Sequence, residues 1–194
     1  SGGLVGSEMC IRDRIVSYHP IIFNGLKQIT NDNYVQKSVI KAVKNNISVY
    51  AIHTSLDNHP KGISYLLSDL IGLNNISVLL PKEEKLNKIK IGLGSIGELE
   101  KPMDEITFFD LLKNKLGLKY LRHTNKLNKK ISKVSVVVGS GSFAIKDSIE
   151  SNVDAFITSD FKYHNFFEAD NKAILIDIGH YESCLLYTSD AADE

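Results

Sequence analysis

The chain has 194 residues, with 23 Lys and Arg against 23 Asp and Glu, 43% hydrophobic and 8% aromatic side chains, the composition of an ordinary globular protein. Those values exclude disordered, fibrous and strongly basic classes, and the balanced charge argues against a general nucleic-acid binder. The stretch Ile47 to Ile52 reaches only six residues, far short of the roughly eighteen apolar residues a spanning helix needs, so no membrane span is expected.

A chain of this length makes one domain or two small ones and buries about two-thirds of its unfolded surface. Both ends call for inspection before any fold reasoning. Cys184-Leu185-Leu186-Tyr187-Thr188-Ser189 can be encoded by TGT CTC TTA TAC ACA TCT. The reverse complement of that DNA, read from its third base, encodes Met-Cys-Ile-Arg-Asp, which is Met9 to Asp13. Two unrelated gene ends rarely encode opposite strands of one short DNA, and this DNA is the transposon end used in sequencing-library preparation. Residues 1–14 and 184–194 are therefore expected to be adapter translation, and 15–183 to be a gene fragment cut at both ends. The alternative is a genuine inverted repeat. On the adapter reading both cysteines, Cys10 and Cys184, lie in the end segments, so no disulfide is expected and the body suits a reducing cytosol. Without the end segments 21 basic and 18 acidic residues remain, a mildly basic body. The end segments are expected to pack poorly.

Taken in chain order, short β-branched runs alternate with amphipathic stretches, the pattern of βαβ units and an α/β fold with largely parallel strands. Ile15–Ser17 is expected to be the end of a strand, Tyr34–Asn45 a helix with Val35, Val39, Ile40 and Val43 at helical spacing, and Ser48–Ile52 a strand. Pro60–Leu73 reads as a helix closed by Gly72. Two short strands, Ile76–Leu80 and Ile89–Leu93, are separated by a Lys-rich linker, Lys82–Lys90. Asp104 is placed to cap a helix through Leu116 that Gly117 closes, followed by a possible strand at Leu118–Arg122 and a basic connection at Lys126–Lys133. Val134–Val138, Asp154–Ile157 and Ala173–Ile178 are the clearest later strands, with helices near Phe143–Ser151 and Phe161–Ala169 between them.

The informative residues stand directly after these strands: Tyr18 and His19, then His53 and Asp57, then Thr158 and Asp160, then His180. Crossover connections in parallel sheets put the carboxyl ends of strands on one edge, where open α/β proteins bind ligands. Imidazole and carboxylate with an open position are the ligand types of catalytic Zn, Fe or Mn centres. Each member also has a plain alternative. His19 before Pro20 can be a turn residue, Asp57 a turn or cap residue, His180 a surface neighbour of a helix cap, and His164 a packed core histidine. His59 and His123 are assigned no site role. Gly139-Ser140-Gly141-Ser142 can cradle an anion but lacks the dinucleotide fingerprint, and on spacing alone is more often a tight turn.

The body resembles the NIF-three-like family, also called GTP cyclohydrolase I type 2 homologues. The resemblance rests on Ser17-Tyr18-His19-Pro20-Ile21-Ile22-Phe23, His53-Thr54-Ser55-Leu56-Asp57-Asn58, Gly139-Ser140-Gly141-Ser142-Phe143, Asp154 through Asp160 and Gly179-His180-Tyr181-Glu182-Ser183, in family order. It implies a two-lobed α/β fold with mixed, largely parallel sheets flanked by helices, two divalent ions (Zn, Fe or Mn), a cytoplasmic homohexamer, and hydrolysis of the GTP cyclohydrolase type on a nucleotide or related heterocycle. A non-catalytic metal-binding regulatory or interaction protein is the competing class. Residue by residue, the resemblance implies metal ligation by His19, Asp57 and His180, with His53, His164 and Asp160 orienting ligands or transferring protons. The chain departs from the family pattern at Tyr18, where many members have a second histidine, and at Cys184, where the family has a bridging glutamate. Glu182, two residues after His180, is not expected to replace it, so the chain as given is expected to have an incomplete metal site and to be inactive.

Overall fold

The computed structural model describes residues 13–86 and 89–185, which fall into two compact units divided between Leu56 and Asp57. In the first, strand β1 (Arg14–Ser17) pairs in parallel with β2 (Ser48–Ala51), Arg14 opposite Ser48 and Ser17 opposite Ala51. Helix α1 (Tyr34–Lys44) makes the crossover. Asn33 caps it by accepting the Gln36 amide at 3.0 Å, and Lys41 and Lys44 in the last turn face the negative end of its dipole. The short helix α2 (Thr54–Asp57) runs across the division.

The expected end of the first strand is confirmed, and the ladder starts one residue earlier than the boundary drawn from the sequence. Asp13 accepts the Ser48 amide at 2.8 Å and Arg14 is paired, because ladder bonds use main-chain groups whatever the side chain. At the other end Cys184 and Leu185 continue a helix that begins at His180, and the rest of the two segments, residues 1–12 and 186–194, lies outside the described residues.

The second unit begins with helix α3 (Ile63–Leu70), shorter than the expected Pro60–Leu73, with Gly72 just beyond its end at φ +85°. Strands β3 (Leu73–Leu86) and β4 (Ile89–Asp104) follow as one long antiparallel pair. This corrects the expectation of two short strands split by a Lys-rich linker. Pro81 sits at a register shift, where a missing N–H is tolerated, and ladder pairing resumes at Lys85–Lys90. Gly92 lets the strands close, since a β-carbon there would stand 2.0 Å from the Leu80 carbonyl oxygen.

Helix α4 (Glu105–Leu116) has the expected ends, Asp104 at the N-cap and left-handed Gly117 at φ +63°. The expected strand at Leu118–Arg122 is instead the two-residue β5 (Arg122–His123). Then come β6 (Lys130–Ser140), a 3₁₀ turn (Ser142–Ala144), α5 (Ile145–Glu150), β7 (Ala155–Ser159), α6 (Asn165–Glu168), β8 (Ile174–Asp177) and α7 (His180–Leu185). The basic connection thus becomes strand from Lys130 onward, and both predicted helices are shorter than their periodicity suggested.

The six-stranded sheet has the order β3-β4-β6-β7-β8-β5. Its centre, β6-β7-β8, is parallel, whereas β3-β4, β4-β6 and β5-β8 are antiparallel. Every residue of β7 and β8 is buried, which is why both read as unbroken apolar runs rather than alternating ones. Phe156, Leu175, Ile145, Val137 and Phe161 pack together on one part of this core. Among the described residues no helix is long and apolar enough to cross a membrane.

Candidate functional site

In the first unit the parallel register brings the ends of β1 and β2 to one edge. The ladder continues past both strands, with the Ile52 amide donating to Ser17 O and the His53 amide to Tyr18 O, each at 2.9 Å. Three rings therefore meet: the centroids of His19 and His53 are 5.5 Å apart, and Tyr18 lies 4.7 Å from His19 and 5.7 Å from His53. His53 has φ +41°. Every other non-glycine residue with positive φ among the described residues is Asn or Asp, which together with His are the types enriched in this region. A histidine held there stores strain of order 1–3 kcal/mol, a cost that clusters at functional sites.

In the second unit β7 and β8 run parallel with Thr158 opposite Asp177, so their carboxyl ends also share an edge. Asp160 leaves β7 and His180 opens α7, and His180 Nδ1 lies 2.6 Å from Asp160 Oδ2. A neutral imidazole that donates from Nδ1 carries its lone pair on Nε2, the arrangement of a metal-binding histidine oriented by a carboxylate. Asp160 too is left-handed, at φ +61°. The end of β6 joins the same edge: a β-carbon on Gly139 would lie 3.7 Å from both Cε1 and Nε2 of His180.

The glycine-serine segment read as a tight turn is instead the end of β6, Gly139 and Ser140, running through Gly141 into the 3₁₀ turn. Thr158 Oγ1 donates to Gly139 O at 2.8 Å and accepts the Gly141 amide at 2.9 Å. A β-carbon on Gly141 would stand 2.4 Å from Thr158 Oγ1 and 2.6 Å from Val137 Cγ1, so the turn admits only glycine there without rearrangement. Ser159 donates to Gly179 O at 2.9 Å and Ser183 to His180 O at 2.8 Å, which ties the start of α7 to β7.

The structure thus groups His19 with His53 and Tyr18 in one unit, and Asp160 with His180 in the other. Asp57, half-buried, ends α2. His164 is exposed at the N-cap of α6, so the packed-core alternative for it does not hold. The Glu182 carboxylate lies against Gly179, where a β-carbon would meet Oε2 at 2.2 Å. His59 accepts the Lys61 amide at 3.2 Å in a turn, and His123 stacks on Phe109 with centroids 4.3 Å apart. Among the described residues no three His, Cys, Asp or Glu side chains are gathered to hold an ion. A cleft of about 580 Å³ lined by His123, Tyr163, Phe166 and Phe167 includes neither Asp160 nor His180. Sequence reasoning missed Asp177, whose signal was a lone carboxylate inside an apolar strand run.

Comparison with known proteins now bears on these motifs. The Duf34/NIF3 (NGG1p interacting factor 3) family matches residues 9–193, a range that enters both end segments. A GTP cyclohydrolase 1 type 2 homolog of Clostridium perfringens is 33% identical over 172 residues, covering 87% of this chain and 64% of that relative. Protein NIF3 homolog of Schizosaccharomyces pombe is 34% identical over 167 residues, covering 84% of this chain and 59% of that relative. The chain therefore spans less than two-thirds of the length of these two relatives. Among solved structures, Staphylococcus aureus hypothetical protein SA1388 superposes with a TM-score of 0.80 at 25% identity, over 94% of this chain and 72% of that one. A Bacillus cereus protein related to NIF3 shares the fold at 21% identity with a TM-score of 0.80, over 97% of this chain and 80% of that one.

Proposed function

This chain belongs to the DUF34/NIF3 family, and on that premise we propose that the protein is a metal-dependent hydrolase of the GTP cyclohydrolase type, acting on a nucleotide or related small heterocycle. The observation that carries the reading is the Asp160–His180 hydrogen bond at the carboxyl edge of β7 and β8. It is the geometry of a ligand histidine, set up by a residue held in the left-handed region.

The proposed ligands are His19, Asp57 and His180, imidazole and carboxylate donors of the type Zn, Fe and Mn take and part of the larger set that two such ions would need. Divalent ions, when bound, acidify water and polarise the atom under attack. Asp160 holds the proton on Nδ1 of His180 and so directs Nε2 to the ligand role. His53, packed against His19 and Tyr18, is the proposed proton carrier of the first unit, a role that ordinarily contributes about 10²–10⁴ in rate. His164, exposed on α6, is proposed to serve a substrate or its proton rather than the metal. The proposed assembly is a cytoplasmic homohexamer.

The second reading is a non-catalytic metal-binding regulatory or interaction protein, favoured by the family description, which names an NGG1p interacting factor. One experiment separates the two. The full-length gene product is expressed beside its Asp57→Ala and His180→Ala variants, metal content is measured by elemental analysis, and GTP is offered with product detection. Bound metal lost in both variants, with GTP consumed only by the parent, is the expected result. Metal bound without turnover of GTP or related heterocycles moves the assignment to the second reading, and no metal in the parent ends both.

A further inference from the structure

Three buried or half-buried carboxylates of the second unit each accept two main-chain N–H groups, and one differs from the others in what it joins. Glu105 accepts the amides of Leu127 and Lys129, at 2.8 and 3.3 Å, within one connection. Asp154 accepts those of Ser132 and Lys133, at 2.9 and 2.8 Å, on one strand. Asp177, 4% exposed, accepts from two separate turns: the Phe161 amide reaches Oδ2 and the Gly179 amide Oδ1, each at 3.0 Å. Phe161 follows Asp160, and Gly179 precedes His180.

We infer that Asp177 is a positioning residue, whose buried carboxylate holds together the two turns that present Asp160 and His180 to each other. Arg122 completes the clamp. Its Nη2 pairs with Asp177 Oδ2 and also donates to Phe161 O at 3.2 Å, so both main-chain polar groups of Phe161 are captured. The strand register opposes Arg122 to Asp177 directly, and the guanidinium lies 5.5 Å from the centroid of the Phe166 ring. The residues on either side of the clamp need this help. Asp160 occupies the left-handed region and Gly179 turns at φ +81°, each one of several conformations open to its residue type, so the clamp selects the pair that presents Asp160 to His180. A carboxylate offers lone pairs in several directions and can accept all three donors, whereas an amide offers one oxygen and would turn an N–H toward one of the two turns. The inference rests on the proposed function only in treating His180 as a ligand; the clamp itself is geometry.

The test uses the full chain with ¹⁵N-labelled histidine, its imidazole protonation and tautomer read from two-bond ¹H–¹⁵N correlations across a pH series. The parent is expected to show His180 protonated on Nδ1. Asp177→Asn is expected to give mixed tautomers at His180 and faster hydrogen exchange at the Phe161 and Gly179 amides, by roughly tenfold or more, the equivalent of one charged hydrogen bond. Glu105→Gln is the matched control: it loses a buried carboxylate of the same kind and is expected to leave His180 unchanged. Where Asp177→Asn does not fold, Arg122→Gln decides, because Arg122 is 59% exposed and its removal leaves the core intact. A His180 tautomer that is unmoved in the folded clamp variant, or moved equally in Glu105→Gln, overturns the assignment. Absent metal with the expected tautomer changes would sink the proposed function and leave the clamp standing.

Discussion

The two units place histidines at strand ends in the same manner and support them differently. Residues 13–56 contain two four-residue strands whose apolar side chains stay largely open: Val16 and Tyr50 are each 63% exposed, and a cleft of about 560 Å³ lined by Ile15, Ile22, Val39, Val43 and Val49 lies beside them. Residues 57–185 contain six strands, and Phe156, Ile157, Ile174, Leu175 and Ile176 on the adjacent strands β7 and β8 are fully buried. His19 and His53 meet by ring packing, whereas His180 is gripped by a carboxylate whose own turn is tied to a buried clamp. Strand-end position is therefore a matter of topology, but the precision with which a side chain is held depends on the core beneath it.

The largest expected effect tests that contrast in stability. Phe156→Ala removes a ring packed 6.0 Å, centroid to centroid, from Phe161 in the middle of the second unit, and should cost about 3–5 kcal/mol in urea unfolding. Val16→Ala, on an open strand, should stay within about 0.5 kcal/mol. Equal losses would mean that the first unit is far better packed than its exposure shows. Next comes the grip on the ligand histidine. Asp160→Asn should weaken divalent-metal binding by about 10- to 100-fold, measured by competition with a chelating dye. An unchanged affinity would remove Asp160 from the proposed site.

How much of this was legible in the sequence follows from which forces each feature uses. The capped helix Glu105–Leu116 was readable to the residue, because Asp104 and Gly117 are local signals satisfied within one turn. The strands β6, β7 and β8 were readable because burial on both faces demands apolar runs. The long β3–β4 pair was not, since its ladder passes through lysines and glutamates that no local preference marks as strand, and only cross-strand pairing holds them there. For the site, strand-end logic singled out His19, His53, Asp160 and His180, and the structure groups them as two pairs, one in each unit, where the one-edge reading expected a single converging set. It could not find Asp177, because a carboxylate inside Ile174–Asp177 looks like a strand terminus until the amides of Phe161 and Gly179 are seen to converge on it.

A smaller effect probes the strain on the less supported side. His53→Gly or His53→Asn places at φ +41° a residue that accepts the left-handed region, and either should raise stability by up to about 1 kcal/mol while lowering any activity that needs the imidazole. Glycine's larger unfolded-state entropy offsets part of the gain, so Asn should gain more. Destabilisation by both substitutions would show that the ring contacts with Tyr18 and His19 outweigh the backbone strain.

The smallest effect concerns a group remote from either site. The Asp104 carboxylate accepts the Thr107 hydroxyl at 2.6 Å and the Thr107 amide at 3.0 Å, and these bonds, the hydroxyl foremost, hold its pKa below the ordinary value of 3.8. A depressed carboxylate favours the folded state once it is charged. The contribution is therefore complete above pH 3.8 and is lost as pH falls through the lower folded value, leaving neutral-pH stability untouched. Asp104→Asn keeps an acceptor for the Thr107 amide but carries no charge, so the acid limb of the stability curve should flatten while helix α4 remains capped. Carboxyl chemical shifts followed by NMR from pH 6 to pH 2 would measure it. Because Asp104 is fully exposed, salt should weaken the effect, and titration of Asp104 at or above the ordinary value would show that the Thr107 bonds do not persist in solution.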